Sequence, residues 1–141
     1  MANLTLTTSI NIKAPMAKVW HALTDKETIK KYFFGTEADS TWEVGSPITF
    51  SGEWEGKAYQ DKGTILEKTD GKFLKYNYWS SMAGTEDKPE NYANITYSLS
   101  EQHGETVFTL TQDNVKDQAA LEHSKGNWQY LLNAMKELLE N

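Results

Sequence analysis

The stretch VKDQAALEHSKGNWQYLLNAMKELL, residues 115–139, decides the fold of this chain. Its leucines, Trp128 and Met135 recur at steps of three, four and seven residues, and no proline interrupts them. This spacing predicts one long amphipathic helix that begins at Val115 or Lys116 and ends at Leu139. A helix with one apolar face is stable only when that face is covered, so the rest of the chain must supply a surface for it.

Most of the chain before this helix alternates between apolar and polar residues, which is the period of a strand with one buried face. Turns that contain glycine divide this part of the chain into short segments, and short connections favour antiparallel pairing. The predicted strands are residues 4–12, 37–44, 47–54, 57–68, 72–80, 92–101 and 105–112.

Two short helices are predicted between the first and second strands. Pro15 suits the first turn of a helix, where its missing N–H has no partner to lose, and Val19 and Leu23 follow at helical spacing. Ile29 and Tyr32 mark the second helix. The order of these elements predicts an α+β fold, in which a curved antiparallel sheet of six to seven strands wraps around the long C-terminal helix.

Composition narrows the classes of function. The chain has 141 residues and no segment with the composition of a linker, so one domain over residues 1–141 is expected. Lys and Arg number 14 against 20 Asp and Glu, and the net charge of −6 disfavours nucleic acid and anionic membranes as partners. The absence of cysteine excludes disulfides, thiol catalysis and Cys-ligated metals. Segment 1–13 has no secretion signal and no apolar run reaches about 20 residues, so a cytoplasmic location is expected.

Aromatic residues make up 12% of a chain whose mean hydropathy is only −0.65. The strand alternation places much of this aromatic content on the inner face of the sheet. Tyr and Trp combine bulk with one polar atom, which suits the wall of a cavity, and a sheet curved around one helix encloses more volume than the helix fills. We therefore predict a ligand cavity between sheet and helix, with contacts from Phe50, Trp54, Tyr59, Tyr76, Tyr78, Tyr97, Phe108, Gln112, Trp128, Leu132 and Met135.

The same aromatic residues also fit a packed core. Any single inward aromatic residue is more often part of a core than of a binding site, and Trp20 and Trp128 suit the role of packing anchors. The prediction of a cavity therefore depends on the architecture and on the number of aromatic side chains with a polar atom.

Two acidic residues are candidates for acid or base chemistry. Asp61 and Glu67 share the inward parity of their strand, where burial disfavours a charged carboxylate and a nearby tyrosine could polarise a carbonyl. The alternative is a solvated strand end or a bulge that turns the side chain outward. The histidines, His21, His103 and His123, are scattered and no glycine-rich phosphate loop is present, so neither a metal nor a cofactor is expected.

Several segments together resemble a known family. They are Ile-Lys-Ala-Pro at 12–15, Val-Trp at 19–20, Gly-Thr-Ile-Leu-Glu at 63–67, Leu-Lys-Tyr-Asn-Tyr at 74–78 and the late helical Trp128. Over roughly residues 8–139 the chain is similar to the domains named after the activator of the heat-shock chaperone ATPase, in the START-like helix-grip superfamily that also holds polyketide cyclases and lipid carriers. The resemblance implies the helix-grip fold with a hydrophobic ligand cavity. Tyr78 and Gln112 stand where family members often carry Trp and His, so it implies no particular ligand.

Three functions are consistent with the sequence. The first is binding of a small hydrophobic molecule, such as a lipid, a polyketide or a flavonoid-like aromatic compound, with the polar loop 80–90 as a candidate gate. The second is a cyclase-type or hydrolase-type enzyme that uses an inward carboxylate and a tyrosine in the same cavity. The third, which the resemblance suggests, is an interaction module that stimulates a chaperone ATPase.

Overall fold

The computed structural model describes residues 4–33, 35–54, 56–80 and 86–140, with the backbone alone at residue 54. Residues 81–85 of the predicted gate loop therefore lie outside the described residues. A 3₁₀ turn forms at Pro89–Asn91, and the other elements are β1 (Leu4–Ile12), α1 (Met16–Thr24), α2 (Lys26–Tyr32), β2 (Glu37–Asp39), β3 (Pro47–Trp54), β4 (Lys57–Thr69), β5 (Phe73–Tyr78), β6 (Ala93–Gln102), β7 (Glu105–Val115) and α3 (Gln118–Glu140).

Within the described ranges, seven strands form one antiparallel sheet in the order β1-β7-β6-β5-β4-β3-β2. Strands β2 to β7 are neighbours in chain order, as their short connections require, and β1 pairs with β7 at the other edge. The sheet curves around α3, which packs mainly against β1. The predicted α+β helix-grip fold is confirmed.

The two short helices follow β1 as predicted. Asp25 separates them, because its extended backbone ends α1 while its carboxylate accepts a hydrogen bond from the backbone N–H of Thr28 at 3.0 Å. An aspartate in this position satisfies one of the free N–H groups at the start of α2. Tyr32, at the end of α2, is buried and donates its hydroxyl to the carbonyl of Ala22 at 2.9 Å, so the helices are tied to each other.

The second strand is shorter than the predicted 37–44, because it ends at Asp39. Just beyond it, the Ser40 hydroxyl accepts a hydrogen bond from the backbone N–H of Trp42 at 3.0 Å, and Trp42 adopts a φ of 62°. A residue in the left-handed region cannot continue a strand, so the chain leaves the sheet there. The alternation of apolar and polar residues does not indicate this local turn.

A β-bulge on β4 makes one expectation about the candidate acidic residues wrong. The pairing of β4 with β5 shifts register between Ile65 and Glu67, which turns Glu67 to the outer face. Its side chain is 62% exposed and forms an ion pair with Lys75 at 3.6 Å. Asp61, on the other side of the bulge, keeps its inward parity and is buried.

The long helix begins later than predicted, at Gln118 rather than at residue 115 or 116, because β7 extends to Val115. Asp113 holds the extension in place, since its carboxylate accepts hydrogen bonds from the backbone N–H and the side-chain amide of Asn94 on β6. Asp117 then caps the helix by accepting from the backbone N–H of Ala120 at 2.8 Å.

The two halves of α3 have different environments, and we call residues 118–130 the cavity half and residues 131–140 the packed half. All buried residues of α3 lie in the packed half. Two lysines fix this half to β1 and α1: Lys136 donates to the carbonyl of Asn11 at 2.8 Å, and Lys18 donates to the carbonyl of Leu139 at 2.7 Å. The cavity half has no buried residue and extends over the other end of the sheet.

Candidate ligand-binding cavity

A cavity of about 670 Å³ lies between the sheet and the cavity half of α3. The 3₁₀ turn and the chain between β7 and α3 complete its walls. The helix contributes residues at steps of three and four, which form one helix face over the cavity. These residues are Ala120, His123, Ser124, Asn127, Trp128 and Leu131.

The opposite wall is formed by neighbouring residues on three strands. On β5 and β6, Tyr78 pairs with Ala93, and Tyr76 pairs with Ile95. Ile95 in turn pairs with Gln112 on β7. Since all five side chains have the same parity with respect to the sheet, they form a continuous patch that faces α3.

The cavity has an apolar interior and a polar mouth. Apolar and aromatic side chains dominate the interior, where Phe33 and Leu131 join the strand residues. The mouth carries Glu90, Lys116 and His123, which are all exposed to solvent. This arrangement suits a molecule whose apolar part enters first.

Gln112 and Trp128 connect the two walls. The indole Nε1–H of Trp128 donates to the side-chain carbonyl oxygen of Gln112 at 2.7 Å. Both residues are half-buried and line the cavity. The bond therefore fixes the rotamers of a helix residue and a strand residue at the same place.

Tyr78 and Asp61 form a second polar pair beside the cavity. The Tyr78 hydroxyl donates a hydrogen bond to the carboxylate of Asp61, and the Ser80 side chain is hydrogen-bonded to the same phenol. Burial, followed by the nearby charge of Asp61, raises the pKa of the Tyr78 phenol far above its ordinary value. Tyr78 is therefore a neutral phenol with its proton directed at Asp61.

Tyr76 and Tyr97 share a hydrogen bond of 2.7 Å between their hydroxyls, and their rings meet edge to face with centroids 5.5 Å apart. Burial raises the pKa of Tyr97 to about 12 and the pKa of Tyr76 well above its usual value. The hydroxyls therefore satisfy each other, and only Tyr76 of the two also lines the cavity.

Of the predicted contact residues, Tyr76, Tyr78, Gln112 and Trp128 line the cavity. Five others face inward as predicted but are buried in the core away from the cavity: Phe50, Tyr97, Phe108, Leu132 and Met135. Parity gives the face of the sheet correctly for Phe50, Tyr97 and Phe108, and helical spacing gives the inward face of α3 for Leu132 and Met135. Parity does not show at which end of the sheet α3 packs directly on these residues and at which end a cavity remains.

Tyr59 and Trp54 are the two remaining predicted ligand contacts. The Tyr59 hydroxyl is hydrogen-bonded to the Thr36 side chain, and the Tyr59 ring packs over Gly52, where an added Cβ would lie 2.6 Å from the phenol oxygen. Tyr59 is therefore engaged with the β2–β3 edge and does not line the cavity. The side chain of Trp54 lies outside the described residues.

The polar residues of the mouth were not among the predicted contacts. His123, Ser124 and Asn127 are charged or polar residues of a helix, and such residues usually mark its solvent face. Their spacing from Leu131 was the available signal, because residues four, seven and eight positions before it lie on the same side of α3. The 3₁₀ turn, which contributes Glu90 and Asn91, has no hydrophobic pattern that could have indicated it.

In the parts of the chain that the structure describes, no three His, Asp or Glu side chains come together as a candidate metal site. None of the helices in those parts combines the length and the apolar character that a bilayer-spanning helix requires.

Residues 13–140 match the family model described as Activator of Hsp90 ATPase homolog 1-like protein. The chain belongs to this family. The resemblance inferred from the segments around Pro15, Gly63 and Trp128 is thereby confirmed. No curated protein matches the chain.

Solved structures of other proteins share the fold of this chain. The solution structure of ChR145 from Cytophaga hutchinsonii is 42% identical with a TM-score of 0.88, and the match covers 100% of this chain and 97% of ChR145. The Aha1 dimer from Colwellia psychrerythraea is 20% identical with a TM-score of 0.77, covering 97% and 96%. DynU16, from the dynemicin biosynthetic locus, is 14% identical with a TM-score of 0.81, covering 97% of this chain and 47% of DynU16.

Proposed function

We propose that this protein binds a small hydrophobic molecule, such as a lipid, a polyketide or a flavonoid-like aromatic compound, in the cytoplasm. The observation that carries the proposal is the cavity of about 670 Å³ beneath the cavity half of α3. This volume is within the range of about 300–1,000 Å³ that is usual for sites of small molecules. Apolar and aromatic side chains line the interior of the cavity, and polar side chains lie mainly around its mouth.

The division of the cavity supports an amphipathic ligand. The apolar interior would gain free energy by releasing water, at about 25 cal/mol for each Å² of apolar surface removed from it. The exposed Lys116, His123 and Glu90 would remain hydrated and meet the polar end of the ligand. DynU16, a structural neighbour, comes from a biosynthetic locus, which is compatible with a role in small-molecule chemistry.

A cavity-filling substitution tests the proposal. Ala120 lines the cavity, whereas Ala119 is exposed on the neighbouring face of the same helix turn. With the neutral fluorescent probe N-phenyl-1-naphthylamine, we expect Ala120→Trp to weaken binding at least tenfold, because the indole occupies the probe's volume. Ala119→Trp is the matched control and should bind within twofold of the wild type. Equal affinities for all three proteins, or no binding by the wild type, would contradict the proposal.

A second candidate is an enzyme of cyclase or hydrolase type, which the buried carboxylate of Asp61 beside the cavity residue Tyr78 favours. In this arrangement Asp61 accepts the Tyr78 proton, so the phenol has no second proton with which to polarise a ligand carbonyl. A reaction would therefore have to begin with transfer or reorientation of that proton. Turnover of a cavity ligand that disappears in Asp61→Asn but survives in Glu67→Gln would support this candidate.

A third candidate is stimulation of a chaperone ATPase, which the family name and the fold of the Aha1 dimer favour. It is tested by adding the purified protein to an Hsp90-type chaperone and measuring ATP hydrolysis. A rise in rate that Ala120→Trp leaves unchanged would assign that activity to a surface other than the cavity.

A further inference from the structure

Gln112 is placed so that one end of its amide is occupied and the other end is available to a ligand. Its carbonyl oxygen accepts the Trp128 indole N–H at 2.7 Å. In the part of the chain that the structure describes, that bond accounts for the hydrogen bonding of the Gln112 side chain, and its NH₂ group has no protein acceptor. Gln112 is half-buried and lines the cavity.

The orientation of this amide is determined by its partner. An indole N–H can donate but cannot accept, so the oxygen of Gln112, and not its nitrogen, must face Trp128. Rotation of the amide by 180° would place two N–H donors against each other. The two N–H groups of Gln112 are therefore the free end of the amide at the cavity wall.

Two tyrosine hydroxyls on the sheet side of the cavity are already in hydrogen bonds. The Tyr78 hydroxyl donates to Asp61, and the Tyr76 hydroxyl pairs with Tyr97. Lys116 and His123 carry further donors, but both are exposed at the mouth, where water competes for them. Gln112 is thus the neutral donor that a ligand meets on the sheet side, whereas Ser124 lines the opposite wall, on α3.

The charges around Gln112 favour an uncharged acceptor on the ligand, because the cation of Lys116 lines only the mouth, where it is exposed to water. Asp61 is buried next to Tyr78, and Glu90 stands at the mouth. A ligand carboxylate would meet these negative charges and would lose its own hydration for a single neutral amide. A carbonyl oxygen accepts the same N–H groups at a much smaller desolvation cost.

We propose that Gln112 is a specificity-determining residue that selects hydrophobic ligands bearing a carbonyl oxygen on an apolar frame. This inference rests on the proposed binding function, and it names the ligand class of the same cavity. Trp128 acts as the positioning residue for Gln112. A ligand of the same shape without the carbonyl leaves the NH₂ group buried without an acceptor, which weakens its binding.

The test uses two probes of matched shape. One is 6-propionyl-2-(dimethylamino)naphthalene, a fluorescent ketone, and the other is its 6-propyl analogue without the carbonyl. We expect the wild type to bind the ketone roughly 3- to 10-fold more tightly, which is the contribution of one net hydrogen bond. In Gln112→Glu the carboxylate still accepts the Trp128 N–H but opposes the ketone oxygen. This variant should lose at least tenfold in ketone affinity and stay within threefold of the wild type for the propyl analogue.

Two further variants make the result decisive. Gln112→Met removes the donor without adding a charge, and it should abolish the preference for the ketone. Gln129→Glu makes the same substitution at an exposed position of α3 outside the cavity, and it should change neither affinity. A wild type that binds both probes equally, or Gln112 variants that lose both probes equally, would overturn the role of Gln112 alone. A wild type that binds neither probe would overturn the proposed function as well.

Discussion

The packed half and the cavity half of α3 belong to one continuous helix, but the first packs in the core and the second covers the cavity. The packed half buries Leu132, Met135 and Leu139 against the sheet, and Lys136 ties it to β1. The cavity half buries none of its residues and covers the cavity. Because the buried residues of α3 all lie in the packed half, substitutions at exposed positions of the cavity half can change ligand binding with little effect on the fold.

The inner face of the sheet shows the same division. The Tyr97 hydroxyl is bonded to Tyr76, and the Tyr97 ring packs on Phe108 with centroids 5.3 Å apart, so this part of the face is filled by protein. At the cavity, Gln112 and Tyr78 instead place polar side chains along an open volume. Stability and specificity thus draw on different residues of the same strands.

Truncating a core residue of the packed half should give the largest effect. Met135 is fully buried, so Met135→Ala is expected to lower the free energy of unfolding by about 3 kcal/mol through lost burial and a residual cavity. Leu121→Ala, in the half-buried part of the cavity half, should cost about 1 kcal/mol or less. Urea unfolding at constant m-value measures both. Equal costs would show that the two halves are packed alike.

Ionisation of a buried tyrosine should have an intermediate effect on the free energy of unfolding at alkaline pH. Because burial raises the pKa of Tyr97 from 10.0 to about 12, the neutral phenol stabilises the fold fully below pH 10. This contribution declines by about 1.4 kcal/mol per pH unit as the pH rises from 10 toward 12, where only the unfolded chain has lost the proton. Tyr97→Phe also removes the hydrogen bond to Tyr76, so it should be less stable than the wild type at pH 9, and the gap should narrow by about 1 kcal/mol at pH 11. A gap that stays constant in urea midpoints would show that Tyr97 does not titrate with folding.

Substitution of Gly126 should have the smallest effect on the free energy of unfolding, and it should stabilise the protein rather than destabilise it. It lies inside the cavity half, and a Cβ added there would meet nothing within 4 Å. Gly126→Ala should raise the free energy of unfolding by about 0.5–1 kcal/mol, since alanine loses less backbone entropy in a helix. Lys125→Ala, at the exposed neighbouring position, should change stability by no more than about 0.3 kcal/mol. A destabilised Gly126→Ala protein would indicate a close contact at this site.

The sequence predicts the sheet and the long helix because alternation and helical spacing are properties of neighbouring residues. Features that depend on one local contact cannot be predicted from these patterns. The left-handed turn at Trp42 ends β2 early, and the bulge after Ile65 turns Glu67 outward, although a bulge was one of the stated alternatives. Neither feature alters the order of the strands.

The candidate site was predicted less completely than the fold, for a geometric reason. Parity places Phe108 and Gln112 on the same face of β7, yet Phe108 is fully packed and Gln112 lines the cavity. The difference arises from where α3 stands over the strand, which is a tertiary feature. Polar residues such as His123 belong to the cavity for the same reason, and a hydrophobic pattern does not select them.

The proposed binding site for a hydrophobic ligand is the volume beneath the cavity half. It is tested most directly by nuclear Overhauser effects between N-phenyl-1-naphthylamine and the methyl groups of the labelled protein at saturation. We expect contacts from the probe to Ala93, Ile95 and Leu131, which line the cavity, and none to the core residue Leu139. Contacts confined to exposed residues such as Val44 would contradict it, because the probe would then bind outside the cavity.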